Sequence, residues 1–536
     1  MKSFAILFCL FIVFSQSHAQ EPGLSLARHF PQETQIYAES EFHSLAAIDA
    51  FSERLWALFS ADESLPFSLH EGWSALLPGE ASPATWAERL GDRVALGIAD
   101  FAMATSTQLL ALEITDFEAT RQWLDDSLAA ELSEGSIQRL VLPGRAVRYQ
   151  PESELLGIAY EIHADVLLIA SASKAFRAED EATLWQNEAL IRAYENGTAD
   201  GAAAILLVDG EALLLRALGE AMAQPAIAGS LPPLGQNWPV LIDAIGDAVL
   251  TFRHMAESQL YEIILNVTTN PKVEESFPSV EFSWLPEDEL LLPTDWSLPP
   301  GTALAVSGND LGNDLDQWMA TISAWAGWLA DSESLPPNLA WLATLETWLP
   351  WLIRSETGLE WESDLRAWMR GPYLALWEDE PPHFSLITRS VDSRAAETAF
   401  QQLRATLDFY DPGEAVFRPP LSLPSAWGSS PLAIHLQWDG QQAHLHTTTE
   451  GNPSTEESGP DAAIHRFLNH RLPAAQLWLY LNGARLADWA SAIDPSLGII
   501  QTLGDMSFAL RWDRPVFTIQ WLFESETFAS PPAPSL

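Results

Sequence analysis

Leu90-Gly91-Asp92-Arg93-Val94-Ala95-Leu96-Gly97-Ile98 carries the reading that decides the fold. After Gly91-Asp92, apolar side chains return at every second position, Val94, Leu96 and Ile98. A period of two is the mark of a strand with one buried face, and Gly with Asp is a turn signal. Residues 109–114 (LLALEI) supply a second strand, so the stretch reads as a β-hairpin announced by a turn-forming glycine. The same sentence recurs at Ile245-Gly246-Asp247 with strands over 249–252 and 260–267. It recurs again at Leu503-Gly504-Asp505 with strands over 507–510 and 516–523. A weaker copy, Gly371-Pro372-Tyr373-Leu374-Ala375-Leu376, is followed by 384–387.

Each copy has a partner strand before it: 31–37 (PQETQIY), 203–209, 299–305 (PPGTALA) and 476–481. Asp209-Gly210 and Asn482-Gly483 read as the turns that close two of them. Two copies are long. In these the hairpin leads into an amphipathic helix, 117–128 capped by Asp116 and 395–407 capped by Asp392, and then into an extra hairpin, 156–170 and 431–447. The order long, short, long, short predicts an α+β fold: antiparallel sheets of repeated hairpins with helices packed on one face, in two similar lobes made by internal duplication. The expected boundaries are a signal peptide over 1–19, an N-terminal lobe over 20–287, a C-terminal lobe over 288–526 and a flexible tail over 527–536.

The chain has 536 residues, with 73 Asp+Glu against 27 Lys+Arg and a net charge of -46. Binding phosphates needs clustered Lys and Arg, so this balance excludes nucleic acid as a partner and disfavours docking on anionic lipid. A hydrophobic fraction of 47% with 23 Trp and 24 Phe can bury a sizeable core. Lys2, the apolar run 5–14 and Ser17-His18-Ala19 read as a secretory signal with cleavage after Ala19. The run is too short for a membrane span, and no later run approaches one. The lone Cys9 leaves with the signal, so the mature chain has no disulfide, Cys nucleophile or Cys metal site. A periplasmic or extracellular protein without a stable membrane span is expected.

Pro31/Thr34/Tyr37, Leu90/Gly91/Ala95/Leu96 and the strand-to-helix run 167–176 (LLIASASKAF) resemble the recurring motifs of a bacterial family of exported or membrane-anchored envelope proteins, a domain of unknown function. The resemblance spans most of the mature chain. It implies an envelope location and this repeated architecture, and it carries no catalytic residues over.

Candidate chemistry is sparse. Ser171-Ala172-Ser173-Lys174 matches the S-x-x-K of serine acyl-transfer enzymes, where the Ser opens a helix. Its Ser-Asp-Asn and Lys-Thr-Gly companions are missing, and a helix-capping Ser explains the motif without chemistry. The Asp439-Gly440 turn signal pairs Gln437 with Gln442, His435 with His444 and Ala433 with His446. His435, His444 and His446 then share one face of the hairpin, within reach of a single transition-metal ion, while Ile434, Leu436, Trp438, Ala443 and Leu445 form the buried face. Trp318, Ile322, Trp325 and Leu329 recur at helical spacing, as do Leu339, Leu342, Leu345, Leu349 and Leu352. Such faces are usually core, with a groove for an apolar ligand as the alternative. Asn309-Asp310, Asn313-Asp314 and Asp316 hint at calcium but miss the spacing of a calcium loop and also suit helix caps.

No nucleotide, flavin or zinc-protease motif is present and no cofactor is implied. The expected function is a non-enzymatic binding or scaffolding protein of the envelope, partnered by another envelope protein or an apolar ligand. The alternatives are a periplasmic carrier or chaperone for apolar cargo, and a metal-dependent hydrolase at the histidine hairpin.

Overall fold

The computed structural model describes residues 26–41, 90–99, 107–142, 146–152, 157–172, 175–176, 182–195, 202, 204–213, 215, 245–255, 258–269, 302–331, 337–358, 360–366, 369–378, 383–390, 392–407, 415–417, 432–438, 442–449, 462–472, 475–485, 504–513 and 516–524. Every strand pairing registered among them is antiparallel, so the fold is α+β with extensive antiparallel sheet. The chain divides into two compact units. One is built mainly from residues 1–276, the other mainly from 277–513 and 519–527, and residues 514–518 group with the first.

The first unit contains β1 (Ile36–Glu41), β2 (Leu90–Ala99), β3 (Thr107–Ile114), α1 (Phe117–Ser127), α2 (Ala129–Glu134), β4 (Ile137–Val141), β5 (Val147–Pro151), β6 (Ala159–Ile162), β7 (Val166–Ala170), α3 (Glu188–Glu195), β8 (Ala204–Val208), β9 (Ile245–Met255) and β10 (Leu260–Thr269). The pairings run β10-β9-β8-β1-β2-β3-β7-β6-β5-β4. One sheet face carries Tyr37, Ala95, Ala111, Leu168 and Val249, and it is sealed by Phe30 and by Ala189, Leu190 and Ala193 of α3. The hairpin β4–β5 was not legible in the sequence, because its strand IQRLV has no alternation to mark it.

The second unit contains β11 (Thr302–Gly308), α4 (Leu311–Asp331), α5 (Leu345–Thr357), β12 (Tyr373–Glu378), β13 (His383–Arg389), α6 (Ser393–Leu407), β14 (Ala415–Phe417), β15 (Leu432–Trp438), β16 (Gln442–Thr449), α7 (Ala462–Asn469), β17 (Leu477–Asn482) and β18 (Asp505–Asp513). β19 (Val516–Glu524) begins in the residues grouped with the first unit and ends in those of the second. The pairings run β18-β17-β11-β12-β13-β16-β15-β14. Helices cover the face that carries Ala443, which packs with Met319 of α4, Trp361, Leu365, and Ala396 and Ala399 of α6.

The expected helix caps are in place. Ala119 N–H donates to Asp116 Oδ1 at 3.0 Å, and Ala395 N–H donates to Asp392 Oδ1 at 3.0 Å. Two turn assignments change. Asp209 accepts from Ala212 N–H at 3.0 Å and Asn482 from Arg485 N–H at 2.9 Å, so both residues start a helical turn at the end of their strand. The glycine of the repeated motif also has another role than the expected turn. Gly504 adopts the left-handed backbone, φ 63°, and Gly371 of the weaker copy has φ 145°, whereas Gly91 and Gly246 lie within β2 and β9. A Cβ at Gly91 would come within 2.7 Å of the Glu113 carboxylate, beside an irregularity in the β2–β3 register, so this glycine admits a close approach rather than a reversal.

Candidate functional site

Asp310 caps α4. Its carboxylate accepts from Asn313 N–H at 3.0 Å and its carbonyl from Asp314 N–H at 2.9 Å. From that anchor α4 buries Leu311, Met319 and Ala326 against the unit and turns the next residues outward. Trp318 is 38% exposed and Ile322 41%. The segment after α4 returns as a 3-10 helix over Pro337–Thr344, where unbroken α-helical spacing was expected, and then as α5. Glu346 N–H donates to Ser323 Oγ at 3.0 Å, which ties the start of α5 to the middle of α4. Leu345, Leu349 and Ile353 turn inward toward the cluster around Met319. Trp341 and Trp351 turn outward, 46% and 62% exposed, and Trp341 packs against Trp348 at 5.5 Å between ring centroids.

Trp318, Ile322, Trp341 and Trp351 are therefore exposed apolar residues of this helical layer. The core reading holds for Leu345 and Leu349 and fails for Trp318 and Ile322, while Trp341 and Trp351 lie outside the expected stripes. A helical stripe says that one face is apolar; it does not say which neighbour arrives to cover it. The sequence over 311–357 is also acidic, with Asp314, Asp316, Asp331, Glu333, Glu346 and Glu356 against Arg354 alone, although Asp314 is buried and Asp316 is paired with Arg366. Isolated apolar residues are ordinary on a surface, but aromatic ones gathered on one face mark interaction sites.

The acids at the start of α4 do not form the hinted calcium site. Asp310 caps the helix and Asp314 accepts from the Tyr373 hydroxyl at 2.8 Å. Asp316 accepts from Trp361 Nε1 at 2.8 Å and pairs with Arg366 Nε at 3.0 Å. Among the described residues no group of three or more His, Cys, Asp or Glu is arranged to hold a metal. Burial pushes the Asp314 carboxyl up to about 7, against the Tyr373 hydrogen bond that favours its ionised form and with the nearby Asp310 charge adding to the rise.

The histidine hairpin forms with a different register. Trp438 pairs with Ala443, Gln437 with His444 and His435 with His446, so the connection is four residues long rather than the two that Asp439-Gly440 signals. A slip of two residues keeps every side chain on its face, whereas a slip of one would invert them. His435, His444 and His446 therefore still occupy one face, with His435 directly opposite His446 in place of His444. Ala443 lies buried on the helix-covered side, as expected for the opposite face. The side chains of His435 and His446 lie outside the described residues. The flanking register positions, Ser385, Ile387, Gln437 and Val416, supply no carboxylate.

Ser171 closes the end of β7, where its hydroxyl accepts from Gln108 N–H at 3.0 Å; Ser173 and Lys174 lie outside the described residues.

Sequence reading missed two polar clusters of the first unit. Tyr37 donates to Glu39 at 2.5 Å while Arg93 pairs with the same carboxylate at 2.8 Å, and Leu26 N–H donates to it at 3.2 Å. Glu161 lies between Arg148 Nε at 2.5 Å and His163 Nε2 at 2.6 Å, with Arg28 paired to Asp165 close by. The signal for both was an acid on the inner face of an apolar strand, Glu39 in IYAESE and Glu161 in AYEI.

No family model matches the chain, and no curated protein matches it. Among solved structures, crystal form III of TP0453 aligns over 48% of this chain and 87% of its own, at 10% identity and a TM-score of 0.25. Crystal form I aligns over 46% and 80% at the same identity and TM-score. Overlap at this level carries no argument about either protein. Among the described residues no helix is long and apolar enough to cross a membrane.

Proposed function

We propose that this chain is an exported, non-enzymatic binding protein of the bacterial envelope. In this reading the outer face of α4 and α5 docks an apolar, positively charged segment of another envelope protein. The supporting observation is the exposed set Trp318, Ile322, Trp341 and Trp351 on a helical layer of acidic sequence. Apolar contact supplies affinity, and complementary charge selects a cationic partner over an anionic one. Export rests on the leading sequence, Lys2 with the apolar run 5–14 and Ala19, which lies outside the described residues. The two units descend from a duplicated lobe. What favours this is the strand succession, β8-β1-β2-β3-β7-β6-β5 in one and β17-β11-β12-β13-β16-β15-β14 in the other.

The test uses the full mature chain and two synthetic helical peptides, one of Leu and Lys and one of Leu and Glu, followed by fluorescence anisotropy. Vesicles of phosphatidylcholine serve as a third probe. The Leu/Lys peptide binds, and the double variant Trp318→Ser, Trp351→Ser weakens it by roughly tenfold, the loss of about one good aromatic contact. Equal binding of both peptides, no binding, or binding of vesicles alone overturns the assignment.

A further inference from the structure

We propose that Asp314 makes the seating of α4, and with it the Trp-bearing face, responsive to pH near neutrality. The inference rests on the binding role proposed above and adds its regulation. Gly308 of β11 and Tyr373 of β12 are directly paired across the sheet, and the Asp314 side chain lies over that pair. A Cβ on Gly308 would collide with the carboxylate and the Tyr373 ring, so the two strands leave a slot for this one side chain. Asp314 is 5% exposed and Tyr373 is fully buried. The Tyr373 hydroxyl is the donor to Asp314, at 2.8 Å, and no basic side chain forms an ion pair with Asp314 among the described residues.

The charged groups around the first turn of α4 do not neutralise it. Asp310, at the cap, is a like charge. Arg366, which packs on Gly312, is committed to Asp316 at 3.0 Å and Glu362 at 2.9 Å. On β12 the facing titratable group is Tyr373, whose own ionisation burial pushes well above the ordinary phenol range. The carboxyl is thus seated as an acid, and its upward displacement brings the change of charge close to physiological pH. A buried, unpaired carboxylate must either leave the slot or draw water into it. Both loosen the turn that leads to Trp318, four residues on.

Hydrogen exchange followed by mass spectrometry on the full mature chain tests this at steps from about pH 6 to about pH 8, corrected for the intrinsic pH dependence of exchange. Protection over 311–322 falls by roughly tenfold at the higher pH in the wild type, and Asp314→Asn removes that difference. Tyr373→Phe, which deletes the hydrogen bond favouring the charged form, moves the midpoint upward and serves if the Asn variant does not fold. A wild type without the difference, an Asn variant that retains it, or a Phe variant with a midpoint unmoved or lowered overturns the proposal. Leu/Lys peptide binding measured at both ends of that pH range separates the two readings. Binding that does not change with pH sinks the gate alone, and absent binding at both sinks the docking face while exchange still decides the gate.

Discussion

In the first unit, Glu39 accepts from Leu26 N–H at 3.2 Å and from the Tyr37 hydroxyl at 2.5 Å, and Arg93 completes its charge at 2.8 Å. In the second, Asp314 projects from the first turn of α4 onto the sheet, with Tyr373 donating at 2.8 Å and no cation paired to it among the described residues. Glu39 belongs to a strand and Asp314 to a helix packed on strands, and both are almost fully buried. The difference is one guanidinium. With it, a buried carboxylate is a fixed part of the structure; without it, the same type of group is seated only while it keeps its proton.

The comparison can be broken most severely at Arg93. Arg93→Met strands the Glu39 carboxylate, and denaturant unfolding at neutral pH loses about 3–5 kcal/mol. Adding Glu39→Gln recovers a large part of that loss if the charge, and not the packing of the arginine stem, is responsible.

Asp314 gives the opposite sign. Its folded pKa lies above the unfolded value of 3.8, so the folded state holds the proton longer and stability falls as pH rises between that value and about 7. Asp314→Asn flattens this slope and gains ~3 kcal/mol relative to wild type at alkaline pH, with little gain in acid. A denaturation series across pH reads both limits.

Glu161 sharpens the contrast with a smaller effect. Burial raises its pKa, but the hydrogen bond from His163 and the charge of Arg148 outweigh burial and leave it below the ordinary value of 4.5. Its contribution is present above that value and disappears as pH falls through the lower folded value. Glu161→Gln costs ~2 kcal/mol at pH 7, the strength of a charged hydrogen-bond network, and the same measurement repeated in acid shows the cost shrinking.

Trp351 marks the other extreme. Trp351→Ser leaves thermal stability within ~0.5 kcal/mol, because the side chain is largely in solvent, yet weakens Leu/Lys peptide binding. A large stability loss would return this tryptophan to the core.

How far the residues spoke for themselves varied with the range of the interaction. The hairpin strands β2–β3, β9–β10 and β12–β13 were legible because period-two alternation is local. The caps Asp116 and Asp392 were legible because a cap and its helix are sequence neighbours. The face shared by His435, His444 and His446 was legible but its register was not, since parity is set by alternation and register by a turn whose length the Asp-Gly pair misreported. The outward direction of Trp318 and Trp351 was hidden, because an apolar stripe says nothing about what will cover it. The slot of Asp314 was hidden too, since its donor is 59 residues away in sequence.

By itself, then, the order of residues determined which segments alternate, where helices begin and how acidic the chain is. Those properties depend on composition or on neighbours a few positions apart. Only the tertiary structure decided which acid keeps a cation, which glycine faces a carboxylate and which tryptophans meet solvent. Burial and charge compensation are properties of an environment, and that environment is assembled from strands and helices far apart along the chain.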